Sequence, residues 1–160
     1  RALYNAKDAE MIQNGEQMPF KTRAFNLTAG LTTSLIPTVD VDYHLTWMRN
    51  TMKMQRLGSS STINSWKHEA KVHIPIVKLL SLETLAEYYH NQLSANRFKD
   101  IFFADASLKL QLRRFDITLA LNNLLNRKTY AYALNSDLMR STSSLLISGR
   151  ELMINIYYKL

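Results

Sequence analysis

The chain has 160 residues, 46% of them apolar and 21% charged, with no cysteine and a formal net charge of +7. That is about one domain, too apolar to be disordered and lacking the sulfur for disulfides or thiolate metal sites. Mean hydropathy is -0.20, and no apolar run approaches the roughly 20 residues of a membrane-spanning helix; this excludes a helical membrane protein but not a barrel, where only alternate residues meet lipid.

Residues 1–20 are polar, with Asn14-Gly15 as a turn signal and room for a helix from Ala6 to Ile12. They read as a loop or the end of a preceding strand, and residues 21–160 as the strand-forming part. The chain opens Arg1-Ala2-Leu3-Tyr4 with no Met or apolar leader, so it reads as a mature or partial chain.

From Phe25 the dominant signal is period two, the mark of a half-buried strand. Phe25, Leu27, Ala29, Leu31, Thr33 and Leu35 fall on one face, with Asn26, Thr28, Gly30, Thr32 and Ser34 opposite. Pro37 breaks the run, and a second follows with Val39, Val41, Tyr43, Leu45 and Trp47 against Asp40, Asp42, His44 and Thr46. Met54–Asn64, with Gly58 and three serines, reads as a loop. Trp66, His68, Ala70, Val72 and Ile74 resume the pattern, and Leu80, Leu82, Thr84, Ala86 and Tyr88 continue it after a short turn. Asn91–Asp100 reads as a polar loop. Ala104, Ala106, Leu108, Leu110 and Leu112 then face Asp105, Ser107, Lys109 and Gln111; Arg113-Arg114 is a tight turn; Phe115, Ile117, Leu119 and Leu121 follow. Asn126–Gly149 is the third long connection.

The last segment carries most information. Leu152, Ile154, Ile156, Tyr158 and Leu160 form one apolar face, with Met153, Asn155, Tyr157 and Lys159 opposite. This suits the barrel-closing terminal strand of an outer-membrane barrel. Together these runs predict an all-β fold, an antiparallel transmembrane β-barrel of about seven strands, with turns and long loops alternating between its two ends. The aromatics sit where the membrane interfaces would lie: Trp47, Trp66 and Tyr88 near the long loops, Phe115 and Tyr158 near the opposite rim.

The stretch Phe103–Tyr130 contains Asp105-Ala106-Ser107, the Arg113-Arg114 turn and Asn122-Asn123-Leu124-Leu125-Asn126-Arg127-Lys128-Thr129-Tyr130, followed by Gly149-Arg150 and the terminal strand. In order and spacing this resembles the C-terminal β-barrel portion of TonB-dependent outer-membrane receptors, which typically carry a D-A-S-like element, an N-N-L-F-N-K-x-Y element and a Gly-Arg pair before the last strand. Leu125 stands where the family usually has Phe, and Leu160 where it usually ends in Phe. The resemblance implies a barrel of about 22 strands holding a plug, of which about seven C-terminal strands would be present here. It implies location in the outer membrane of a Gram-negative bacterium and import of a scarce nutrient. The implied partners are outer-membrane lipid and lipopolysaccharide, the rest of the same barrel and its plug, and TonB acting through that missing plug. It also places residues 1–20 and the three long connections outside the cell.

No catalytic constellation is legible, and neither an enzyme activity nor a cofactor nor a metal is expected. His68 and His73 face opposite sides of a strand, and Ser59-Ser60-Ser61 lacks a His and Asp pattern. Asp40, Asp42, Glu69, Glu83, Glu87, Asp105, Asp116 and Glu151 share the inward face with Lys67, Lys71, Lys109 and Lys159, as a hydrated lumen would require. Two other folds fit the strand pattern: a small self-closed outer-membrane barrel of about eight strands, or a soluble β-barrel binding a lipophilic ligand.

Overall fold

The computed structural model describes residues 1–13, 16–36, 38–54, 58–135 and 140–159. Asn14-Gly15, Pro37 and Leu160 lie outside them. The described chain is all-β and antiparallel. The strands are β1 (Ala2–Gln13), β2 (Glu16–Ile36), β3 (Val39–Met54), β4 (Ser59–Val77), β5 (Leu80–Ser94), β6 (Arg97–Gln111), β7 (Phe115–Asn122), β8 (Thr129–Asn135), β9 (Arg140–Leu146) and β10 (Glu151–Tyr158). One sheet runs β1-β2-β3-β4-β5-β6-β7-β10, and β8 pairs with β9 as a separate hairpin.

The register aligns one row across the sheet: Leu27 opposite Trp47, Trp47 opposite Trp66, Trp66 opposite His90 and His90 opposite Asp100. β1 begins at this row, with Ala2 opposite Leu27, and runs away from the part of the sheet that holds Phe115 and Tyr158. That part is therefore crossed by β2 to β7 and β10. Among the described residues β1 pairs only with β2 and β10 only with β7, so the sheet is open and the far edge of β2 is unpaired from Ala29 onward.

Several expectations are corrected. Residues 2–13 are a strand paired along their length with β2, which overturns the loop and the helix but not the strand reading of this part. Met54–Asn64 and Asn91–Asp100 are not long loops. β4 begins at Ser59, and β5 and β6 meet across a tight turn between Ser94 and Arg97. Asn126–Gly149 contains the β8–β9 hairpin. The sheet holds eight strands, with β1 as the addition to the seven that the pattern gave.

The strands were missed for one reason. A 21-residue β2 and a 19-residue β4 far exceed the roughly 9–11 residues that cross a bilayer. Their outer ends keep period two but carry their apolar residues on the other face, so a pattern followed along one face fades out there.

The buried apolar side chains are Phe20, Met52, Ile63, Leu93 and Ile101. All lie on the inward face, four beyond the Trp47–Trp66 row and Ile101 one residue short of it. The β8–β9 hairpin packs on this face, chiefly against β5. Asn91 donates from Nδ2 to the Tyr130 hydroxyl (3.3 Å) and the Ala131 carbonyl (3.1 Å). Tyr130 sits edge-on to Tyr89 at 5.3 Å and 6.5 Å from Phe103.

Candidate functional site

The outward face of the sheet is a continuous apolar belt. Leu108, Leu119 and Ile154 form one cross-strand row, and Leu110, Ile117 and Ile156 the next. Leu108, Leu110 and Ile117 are half-buried among their neighbours, Leu119 is 40% exposed, and Ile154 and Ile156 on the edge strand are 63–64% exposed. From Phe102 to Leu112 the belt runs about 34 Å along the strand and, at the usual barrel tilt, stands about 25 Å high, the height of a bilayer's apolar band.

Aromatics bracket it. Trp47 and Trp66 are directly opposite one another and stack at 5.5 Å, and Phe25 meets Trp47 edge-on at 5.4 Å. Tyr88 lies 5.7 Å from the His68 ring, whose Nδ1 is hydrogen-bonded to the Tyr43 hydroxyl at 2.7 Å. The Tyr88 hydroxyl donates to Asp100 at 2.9 Å. At the other rim Phe115 and Tyr158 form a cross-strand pair at 5.1 Å. Tyr43 and His68, already on the apolar faces of their strands, join this surface, and Phe102 is added to it. Phe103 faces inward with Tyr89.

Opposite the belt, the inward face is polar and largely paired. Lys67 bridges Glu69 and Glu87, each at 2.7 Å, and the Tyr89 hydroxyl donates to Glu87 at 3.0 Å. Lys71 lies 3.4 Å from Glu69, His73 3.4 Å from Glu83, and Lys159 2.7 Å from Asp116. Gly30 leaves the space that His44 fills, since a Cβ there would come within 2.9 Å of the imidazole. Asp40, Asp42, Glu83 and Asp105 line a hollow of about 520 Å³ together with Lys71 and His73. This face is hydrophilic as a water-filled interior is, with cross-strand charges offsetting one another.

Beyond the tryptophan row the two faces exchange character. On β3 the outward series Val41, Tyr43, Leu45, Trp47 continues as Arg49, Thr51, Lys53, while the inward series Asp40, Asp42, His44, Thr46 continues as Met48, Asn50, Met52. On β4 the outward Trp66 gives way to Asn64, Thr62 and Ser60, and the inward Lys67 to Ser65 and Ile63. Apolar residues face away from water wherever they can. At the outer end of β1, the Arg23 guanidinium bonds Asp8 at 2.5 Å and holds its carboxyl below the usual carboxylate range.

The residues that carry the family resemblance converge on one polar clasp at the outer end of β7. Asn123 and Asn126 both have positive φ, 51° and 53°, which Asn tolerates better than most residues. The buried Asn123 side chain accepts from the Arg127 amide (2.8 Å) and donates to the Arg127 (2.6 Å) and Ser148 (2.8 Å) carbonyls. Its own amide donates to Asp105 at 2.7 Å. Asn126 Oδ1 accepts from the Arg150 amide at 3.1 Å, and the Arg150 guanidinium donates to the Leu124 carbonyl at 3.1 and 2.6 Å. A Cβ at Gly149 would stand 2.7 Å from Asn126 Oδ1, so a larger residue there would displace the Asn126 side chain from the Arg150 amide. Asp105, Asn123, Asn126, Gly149 and Arg150 thus form one unit that ties β6, β7 and the start of β10 together. Comparison with protein-family models, with curated proteins and with solved structures gives no match.

Proposed function

We propose that this chain is the C-terminal part of a TonB-dependent receptor barrel, importing a scarce nutrient across a Gram-negative outer membrane. The observation that carries the membrane part of this reading is the exchange of faces at the Trp47–Trp66 row. Below it the outside is apolar and the inside is charged and paired; above it the outside is polar and the inside is a small core. Lipid around the lower part and water around the upper part account for both. A soluble barrel for a lipophilic ligand would put its apolar face inward throughout.

The receptor part rests on the motif resemblance, supported by the meeting of those motif residues in one clasp. In this reading the polar inward face lines the import channel, and transport, not catalysis, is the activity. The open edges of β2 and β10 need neighbouring strands, because lipid cannot satisfy unpaired backbone groups. Those neighbours are the remaining strands of a barrel of about 22. A small self-closed barrel would instead need a further strand through the belt beside β2.

The chain's two tryptophans are both on the outward face. The test therefore uses the whole barrel polypeptide with every tryptophan outside this stretch replaced by Phe, folded into liposomes whose acyl chains carry bromine, and Trp fluorescence is read. Strong quenching that is absent in unbrominated lipid supports the reading. Unquenched emission from folded protein would refute it.

A further inference from the structure

From β1 to β7, each strand of the large sheet is joined to the next by a short connection, and a short turn fixes the register of the pair it joins. β7 and β10 are the exception, because residues 123–150 stand between them. The strand residues do not fix this register either. Their outward rows are Leu121–Leu152, Leu119–Ile154, Ile117–Ile156 and Phe115–Tyr158. Slipping β10 by one residue would turn its apolar side chains to the other face. Slipping it by two would set Ile154 against Leu121 or Ile117, an apolar pair of the same kind. The inward rows Ala120–Met153 and Thr118–Asn155 carry no charge that would oppose the slip. At the lower rim Lys159 meets Asp116 at 2.7 Å, but the lysine is half exposed, and such a pair contributes little.

The clasp supplies what is missing. Arg150 immediately precedes β10, and Leu124 and Asn126 follow closely on β7. The Asn126 amide donates to the Asn123 carbonyl at 2.8 Å, and its φ of 53° turns the chain back toward β10. There the Arg150 amide donates to Asn126 Oδ1 at 3.1 Å, and the Arg150 guanidinium donates to the Leu124 carbonyl at 3.1 and 2.6 Å. Asn123 is itself tied to β6 through Asp105, at 2.7 Å. The amide bond to Asn126 exists only while Glu151 lies opposite Asn122, because a slip by two moves the Arg150 backbone about 7 Å along the strand. We propose that Asn126 and Arg150 set the register of β10 on β7, standing in for the tight turn that this pair lacks. Barrel closure requires one consistent stagger between neighbours, so a slipped β10 would offer a displaced edge to the strand that must pair with it. The role is one in assembly, and it holds whatever the barrel imports.

The experiment uses the whole polypeptide that carries this stretch, with every cysteine outside it replaced by Ser; the stretch itself has none. Three pairs of introduced cysteines report the register from the inward face. Thr118→Cys/Asn155→Cys are opposite one another in the observed register, whereas Ala120→Cys/Asn155→Cys and Thr118→Cys/Met153→Cys would be opposite after a slip by two in either direction. Opposed Cα atoms stand about 5 Å apart and can be bridged by a disulfide; partners two residues out of register lie beyond about 7 Å and cannot. With the clasp intact, only the first pair is expected to cross-link. In Asn126→Ala/Arg150→Ala, cross-linking of a slipped pair in protease-resistant protein is expected to rise about tenfold or more, since one charge-assisted hydrogen bond is worth about that factor in population. Lys159→Gln is expected to keep the original pattern. Where the double variant does not fold, Asn126→Ala alone is read in the same way. Cross-linking of the first pair alone in the clasp variants overturns the inference, as does slipping in Lys159→Gln as large as in theirs.

Discussion

The lower and upper halves of this sheet share β2 to β6, with one register and one alternation, and sort their residues oppositely. Ile154 and Ile63 mark the contrast. Ile154, in the lower half, is 63% exposed on the outward face, whereas Ile63, in the upper half, is 5% exposed on the inward face. Neither position is set by the strand itself, since a pleated strand offers two equivalent faces. What differs is the surroundings. The lower half leaves its apolar outward face uncovered by protein, while the upper half packs the β8–β9 hairpin on its inward face, as a water-soluble domain does.

The sharpest way to break the comparison is to truncate a side chain in each half. Ile63→Ala leaves a cavity in a small core and is expected to cost about 2–5 kcal/mol. Leu119→Ala, on the uncovered outward face, leaves no protein cavity and is expected to cost well under half as much. Both are read from reversible denaturation of the liposome-inserted protein. Equal costs would show that the belt is covered by protein.

A charge tests the same contrast from the other side. Leu119→Arg places a guanidinium on the lipid face and is expected to cost about 2–4 kcal/mol near the bilayer midplane. Thr118→Arg, one residue along on the inward face, is expected to be tolerated. The ratio of folded to unfolded protein after insertion decides, and equal tolerance would reverse the assignment of faces.

The smallest effect is expected at the outer end of β7. Asn123→Ala removes a buried side chain that satisfies one amide and two carbonyls, at a cost of about 1–3 kcal/mol. The loss should fall on the segment after β7, whose departure angle the clasp sets. Faster proteolysis within residues 126–149, with the belt strands still protected, is the expected outcome. Uniform loss of protection would mean that the clasp holds the whole sheet.

The belt strands were legible residue by residue. Leu108, Leu110, Leu119, Ile154 and Ile156 alternate with polar neighbours, and alternation is a local property that the backbone pleat converts directly into two faces. The D-A-S, N-N-L-L-N and Gly-Arg elements were legible as a resemblance, but not as a clasp, because their bonds join residues up to 26 positions apart. The outer strands were not legible. Met48, Met52, Ile63, Leu93 and Ile101 are too sparse, and lie on the wrong face, to extend the pattern that precedes them.

By itself, then, the sequence determined that strands form and which residues share a face, since both follow from a repeat of two. Only the tertiary structure decided which face is inside at each level. That depends on what covers it, and the cover comes from elsewhere: the β8–β9 hairpin, packed chiefly on β5, in the upper half, and no protein at all over Ile154 and Ile156 in the lower.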